Sequence, residues 1–275
     1  MSRTLALAVR FLLLCAALAA TFDPAHALTI RSWDSANEAG GDLFLGLPDN
    51  GYQTLRSTLI SRGHAILPGI SELTAANLTG VDAFFWGTSS HVLSATEQGV
   101  LSAFINAGGK IILETDDPAS EQAAANSAYA ALGLGAITAV LDGGNSANQG
   151  TFANVASSTT VGLLPTDNIR GLTWGGTNGP SVPGGGLVVG AVGTSNKWVE
   201  YAVGAGRVLG VADPYGWDIF TNSGVPTPAY TGPYYNASNA KAYVNFLETT
   251  LPIPEPGTFM LVASGLVGLA AWRRR

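Results

Sequence analysis

The side chains best suited to chemistry stand where apolar runs end. Residues 81–87 form a compact apolar run followed by Ser89, Ser90 and His91. Residues 110–113 lead into Glu114, Asp116 and Asp117, and residues 207–212 end in Asp213, with Asp218 shortly after. If these runs are parallel strands, their carboxyl ends share one edge, where ligands bind in open α/β sheets. Carboxylates from two strand ends, such as Asp116 and Asp213, can bind a hard cation such as calcium. They can also serve as acid and base on a glycan. Ser89 or Ser90 with His91 would be a nucleophile and base, although neighbours in sequence rarely hold that geometry. Set against these readings, strand-end aspartates commonly cap loops through Asx turns. Asp117, Trp174 and Trp217 are candidate binding residues, as exposed rings stack on sugar faces. Rings such as Trp174, Tyr215, Trp217, Tyr230, Tyr234 and Tyr235 equally pin long loops to a body. His64 and His91 share no metal-ligand spacing, and neither zinc nor a resident cofactor is expected.

The elements that must position these residues are legible in part. Residues 28–33 read as a first strand. A helix over 52–61 follows, with Leu55, Leu59 and Ile60 as its apolar face and Gly63 as its stop. Residues 64–67 read as a second strand and 81–87 as a strand buried on both faces. Ser94-Ala95-Thr96-Glu97 is a capping box that opens a helix burying Val100, Leu101, Phe104 and Ile105. A buried strand over 110–115 and an alanine-rich helix over 121–132 come next. This alternation predicts an α/β domain with a flavodoxin-like parallel sheet and helices on both faces.

From 135 to 203 the texture shifts to short apolar pieces between glycine- and asparagine-rich stretches, read as a β-rich insertion. Within it, 187–192 and 197–203 form a hairpin through residues 193–196. A buried strand over 207–213 and a last helix from residue 238 or 239, burying Tyr243, Val244, Phe246 and Leu247, complete a body of residues 28–252.

The two ends read as address labels. Arg3 and Arg10 precede an apolar run over 11–20, and Ala25-His26-Ala27 has the small-x-small form of a signal-peptidase site, so residues 1–27 are a predicted signal peptide. The one cysteine, Cys15, lies within it, which leaves the mature chain without disulfide or thiol nucleophile. Between Leu28 and Pro254, eight lysines and arginines face seventeen aspartates and glutamates. An acidic body without a basic patch argues against nucleic acid as a partner.

At the other end stand Pro254, Glu255 and Pro256, then a charge-free run over 257–272, then Arg273, Arg274 and Arg275. As a helix that run spans ~24 Å, just short of a ~30 Å hydrocarbon core. Trp272 suits the interface, and the arginines would hold that end in the cytoplasm. The pattern over 253–275 resembles the PEP-CTERM sorting signal of Gram-negative bacteria. The resemblance implies a transmembrane helix as a transient inner-membrane anchor, cleavage near Pro254-Glu255-Pro256 by the membrane peptidase exosortase, and delivery to the cell surface or extracellular matrix. Signal peptidase, which would cut after Ala27, and exosortase are thus the implied processing partners.

The order of elements in the body resembles the class I glutamine amidotransferase-like superfamily. Residues 81–87 with the helix opened by Ser94, residues 204–213, and residues 218–222 with the last helix carry that likeness. Active members use a cysteine on a strand-to-helix turn with a histidine and an acid. The mature chain has no cysteine, and Gly87-Thr88-Ser89-Ser90-His91 is not a Gly-x-Ser-x-Gly elbow. The likeness therefore speaks for the fold and against amidotransferase chemistry. The expectation is a surface-sorted, non-catalytic structural or binding protein of the envelope or exopolysaccharide matrix. The alternative is an extracellular hydrolase of glycans or peptides.

Overall fold

The structure, a computed structural model, describes residues 27–37, 52–87, 89–115, 119–139, 149–152, 157, 159, 171–173, 180–192, 195–212 and 237–249. Its strands are β1 (Thr29–Ser32), β2 (Ala65–Ile66), β3 (Ala83–Phe85), β4 (Lys110–Thr115), β5 (Thr138–Ala139), β6 (Gln149–Phe152), β7 (Gly171–Thr173), β8 (Pro180–Ser181), β9 (Leu187–Val192), β10 (Ser195–Val203) and β11 (Gly206–Ala212). Its helices are α1 (Gln53–Ser61), α2 (Ala95–Asn106), α3 (Ala119–Ala131) and α4 (Ala237–Glu248). β5 pairs with β8, and the other strands form one nine-stranded sheet in the order β2-β1-β3-β4-β11-β10-β9-β6-β7.

The sheet is mixed, not parallel throughout. β2, β1, β3, β4 and β11 run parallel. From β11 outward through β10, β9, β6 and β7 every pairing is antiparallel. The reason is local. The turn at Gly204-Ala205 joins β10 to β11, and a two-residue connection can only make a hairpin. The β9–β10 hairpin is likewise tighter than the sequence suggested, since β10 starts at Ser195, which pairs with Val192. Of the strands in the expected insertion, β6, β7, β9 and β10 are therefore continuous with the main sheet, while β5 and β8 pair apart from it.

Helices cover both faces. One core layer joins Leu101 and Ile105 of α2 and Ala124, Ala128 and Tyr129 of α3 to Phe84, Ile111 and Leu113. The other joins Leu55 and Leu59 of α1 and Tyr243, Phe246 and Leu247 of α4 to Ile30, Phe85 and Ile112. Period-two alternation along β4 sends Ile111 and Leu113 to the first layer and Ile112 to the second.

α2 starts as read. Ser94 Oγ accepts from the Glu97 amide at 3.3 Å, and the Glu97 carboxylate accepts from the Ser94 amide at 2.9 Å. α1 ends at Gly63, whose φ of 94° only glycine adopts without strain. Ile60, expected in the buried face of α1, is 48% exposed instead. Leu55 and Leu59, one turn apart, define the buried stripe, and Ile60 lies ~100° around the helix from Leu59.

Gly206 sits at the closest approach of α2 to β11. A Cβ there would lie 2.3 Å from the Gly109 carbonyl and 2.4 Å from that of Ile105. Among the described residues, no helix is long and apolar enough to cross a membrane. The predicted signal-peptide run and the C-terminal apolar run lie outside the described residues.

Candidate functional site

The carboxyl ends of the parallel strands carry two polar constellations, one on each face of the sheet. The first centres on Glu114, near the end of β4 and 1% exposed. Alternation turns it into the α1/α4 layer, where two tyrosines meet it. Tyr52, just before α1, donates to Glu114 with contacts of 2.7 Å to Oε1 and 2.8 Å to Oε2. The Tyr243 hydroxyl on α4 donates to Oε1. Phe85 packs on both tyrosine rings, and Trp198 on that of Tyr243. Burial first, and the Glu114 charge second, push both hydroxyls well above the ordinary tyrosine range. They are held as donors, so this is a carboxylate clamped by two neutral phenols.

The second constellation follows β3. Ser89 Oγ donates to the Asn37 carbonyl at 3.1 Å and accepts from the His91 amide at 3.1 Å. The Ser90 amide donates to the same Asn37 carbonyl. The His91 ring turns from the serines, packs against Trp33 with centroids 5.0 Å apart, and places Nε2 2.8 Å from Glu97 Oε1. Glu97 also accepts from the Leu73 amide at 3.2 Å and from Ser94 Oγ at 2.8 Å. One carboxylate thus caps α2, holds the 73 loop and orients the imidazole. Burial alone would raise the Glu97 carboxyl. The hydrogen bonds from Ser94, His91 and Leu73 outweigh it and hold the group below its usual range.

That depression predicts acid sensitivity. Glu248, held down chiefly by the hydrogen bonds from Arg62 and further by His64 against the opposing effect of burial, behaves alike. Both carboxyls bind protons more weakly folded than unfolded. Their stabilisation is therefore full above the unfolded glutamate pKa of about 4.3 and is lost as pH falls through the lower folded values. The urea midpoint should hold between about pH 6 and 5 and drop below about pH 4. Glu97→Gln with Glu248→Gln should flatten that drop; an unchanged slope would exclude these two groups as its source.

Of the sequence-predicted site residues, the structure brings together Ser89, Ser90 and His91 in one turn but leaves the His91 ring on Glu97. Glu114 lies on the opposite face of the sheet. Asp116, Asp117, Asp213, Asp218, Trp174 and Trp217 lie outside the described residues, as do Pro254, Glu255, Pro256, Arg273, Arg274 and Arg275. Ala27 is described and exposed. Among the described residues no group of three His, Cys, Asp or Glu could hold a metal ion. His64 and His91 sit at opposite ends of the parallel strands, one beside Leu28 and the other beside Trp33.

The sequence reading missed Tyr52 and Tyr243 as partners of Glu114. Their signal was tyrosine where the apolar faces of the first and last helices called only for bulk, because a buried phenol needs a partner. At the same edge, Trp33 Nε1, Trp86 Nε1 and Thr115 Oγ1 are buried, and no described residue pairs with them.

The comparisons bear on the tail and on the fold. Residues 252–275 match the PEP-CTERM protein-sorting motif. The motif marks an exported, surface-sorted protein and implies processing by exosortase. No curated protein matches the sequence. Among solved structures, the mmIFT52 N-terminal domain aligns at TM-score 0.57 and 15% identity, over 82% of this chain and 100% of that one. The cytoplasmic protein STM3548 from Salmonella typhimurium aligns at TM-score 0.51 and 11% identity, over 80% and 97%. The cytoplasmic protein STM1381 from Salmonella typhimurium LT2 aligns at only 0.46 and 12% identity, over 80% and 97%, too distant to carry an argument. At such identities the first two speak for the α/β fold alone.

Proposed function

We propose that this is a non-catalytic structural or binding protein of the envelope or exopolysaccharide matrix of a Gram-negative bacterium. It would be anchored briefly in the inner membrane by its C-terminal helix before exosortase releases it to the surface. The observation that carries the non-catalytic reading is the state of Ser89. Its hydroxyl bridges the Asn37 carbonyl and the His91 amide, while the imidazole that would have to activate it is held by Glu97. A serine nucleophile needs a base on its own hydroxyl. Glu114 is similarly committed, as an acceptor for two phenols. The binding side of the reading draws on the strand-end carboxylates Asp116, Asp117 and Asp213, which follow β4 and β11 in sequence.

The test is a paired assay on the exported protein. Chromogenic glycosides and peptides should show no turnover above a Ser89→Ala variant, while a glycan array should retain ligands. Turnover abolished by Ser89→Ala or His91→Ala would establish the hydrolase instead.

A further inference from the structure

The first described residues of the body are received by side chains as well as by the sheet. Leu28 is 8% exposed and belongs to the α1/α4 core layer. Its carbonyl accepts from the Ala65 amide at 2.8 Å. Its nitrogen lies 3.0 Å from His64 Nδ1, and the next nitrogen, that of Thr29, donates to Asp82 Oδ2 at 2.8 Å. Nδ1 can accept only if that nitrogen is unprotonated. The other ring nitrogen, 3.0 Å from Glu248 Oε1, then carries the proton. Glu248 is in turn gripped by the Arg62 guanidinium. The chain Leu28 N, His64, Glu248, Arg62 thus joins the start of β1 to the end of α4 through a ring whose side chain is fully buried.

We infer that His64, backed by Glu248, is a seat for the α-amino group that removal of the leader between Ala27 and Leu28 would create. The inference rests on the export reading and adds to it a site within the body. An imidazole lone pair with a carboxylate behind it suits an ammonium better than an amide, because the hydrogen bond becomes charge-assisted. Ala27 is exposed, so its removal opens the seat to solvent on that side. The charged groups around the seat are Glu248, Asp82, Arg62 and Lys110; Asp82 accepts directly from the Thr29 nitrogen, and Glu248 stands behind His64. Removal of the leader would therefore exchange a neutral hydrogen bond for a charge-assisted one and strengthen the tie between the first residue of the mature body and its last helix.

The experiment uses the full chain expressed with its own leader and recovered after export. Mass spectrometry of its N-terminal peptide reads the cut, and a pulse of acetic anhydride reads the reactivity of the α-amine. The expected result is a terminus at Leu28 whose amine is acylated about tenfold more slowly in the folded protein than in urea, consistent with a charge-assisted hydrogen bond. His64→Phe should restore most of the rate. Glu248→Gln, which keeps the shape, should restore part of it and guards against a misfolded histidine variant. A terminus at Leu28 whose folded amine reacts at the unfolded rate overturns the seat and leaves export standing. A chain that keeps its leader overturns both.

Discussion

Replacing Glu114 with leucine should destabilise the body by about 3–5 kcal/mol, because two buried phenols lose the acceptor they share. Tyr52 and Tyr243 both donate to this carboxylate from separate helices, and all three residues are almost wholly buried. The loss should show as a melting temperature lower by about 10 °C, on the scale of domains of this size. The informative variant is the triple Glu114→Leu, Tyr52→Phe, Tyr243→Phe. It removes the donors together with the acceptor, and an apolar replacement of a buried polar cluster is often near neutral. The triple variant should recover at least half of what the single one loses. A single variant within about 1 kcal/mol of the parent would mean that the hydroxyls find other acceptors and that the clamp is incidental.

The second large effect is expected at Arg207. It donates to Glu200 Oε2 at 2.7 Å, reaches the Thr249 carbonyl at 3.1 Å and lies 5.3 Å from the Phe246 ring centroid. Glu200 is fully buried, and its other oxygen accepts from the Thr159 amide at 2.8 Å. Burial lowers the guanidinium pKa, and the Glu200 charge works against that. Arg207→Met would remove the guanidinium paired with a buried carboxylate, at a cost of about 3–5 kcal/mol. Glu200→Gln alone should cost less, and the double variant less than the sum of the two. A double-mutant cycle in urea should give a coupling energy above about 1 kcal/mol; additivity would show that the two side chains act separately.

What the sequence disclosed follows from which signals are local. α2 was legible because Ser94 and Glu97 are three residues apart and cap each other. β4 was legible because a run of five buried residues allows few alternatives. The Glu114 clamp was not, since its partners lie 62 and 129 residues away and only the packing of α1 and α4 brings them in. In the antiparallel half the β9–β10 hairpin was legible, but β6 and β7 were hidden for another reason. β6 reads Gln-Gly-Thr-Phe and β7 Gly-Leu-Thr, too short and too small in side chain for a period to show. The orientation of His91 was equally out of reach, because Glu97 already had a complete local role as the helix cap.

The link from Leu28 through His64 to Glu248 has a topological corollary. The first and last elements of the body start and stop within one imidazole of each other, and Lys110 reinforces that meeting point by donating to the Leu247 carbonyl. A short glycine-serine bridge could close such a body into a ring and let it be reopened at a surface turn elsewhere, since neighbouring termini are what circular permutation requires. A ring that folds and reopens in this way would show that the sheet does not depend on where the polypeptide begins.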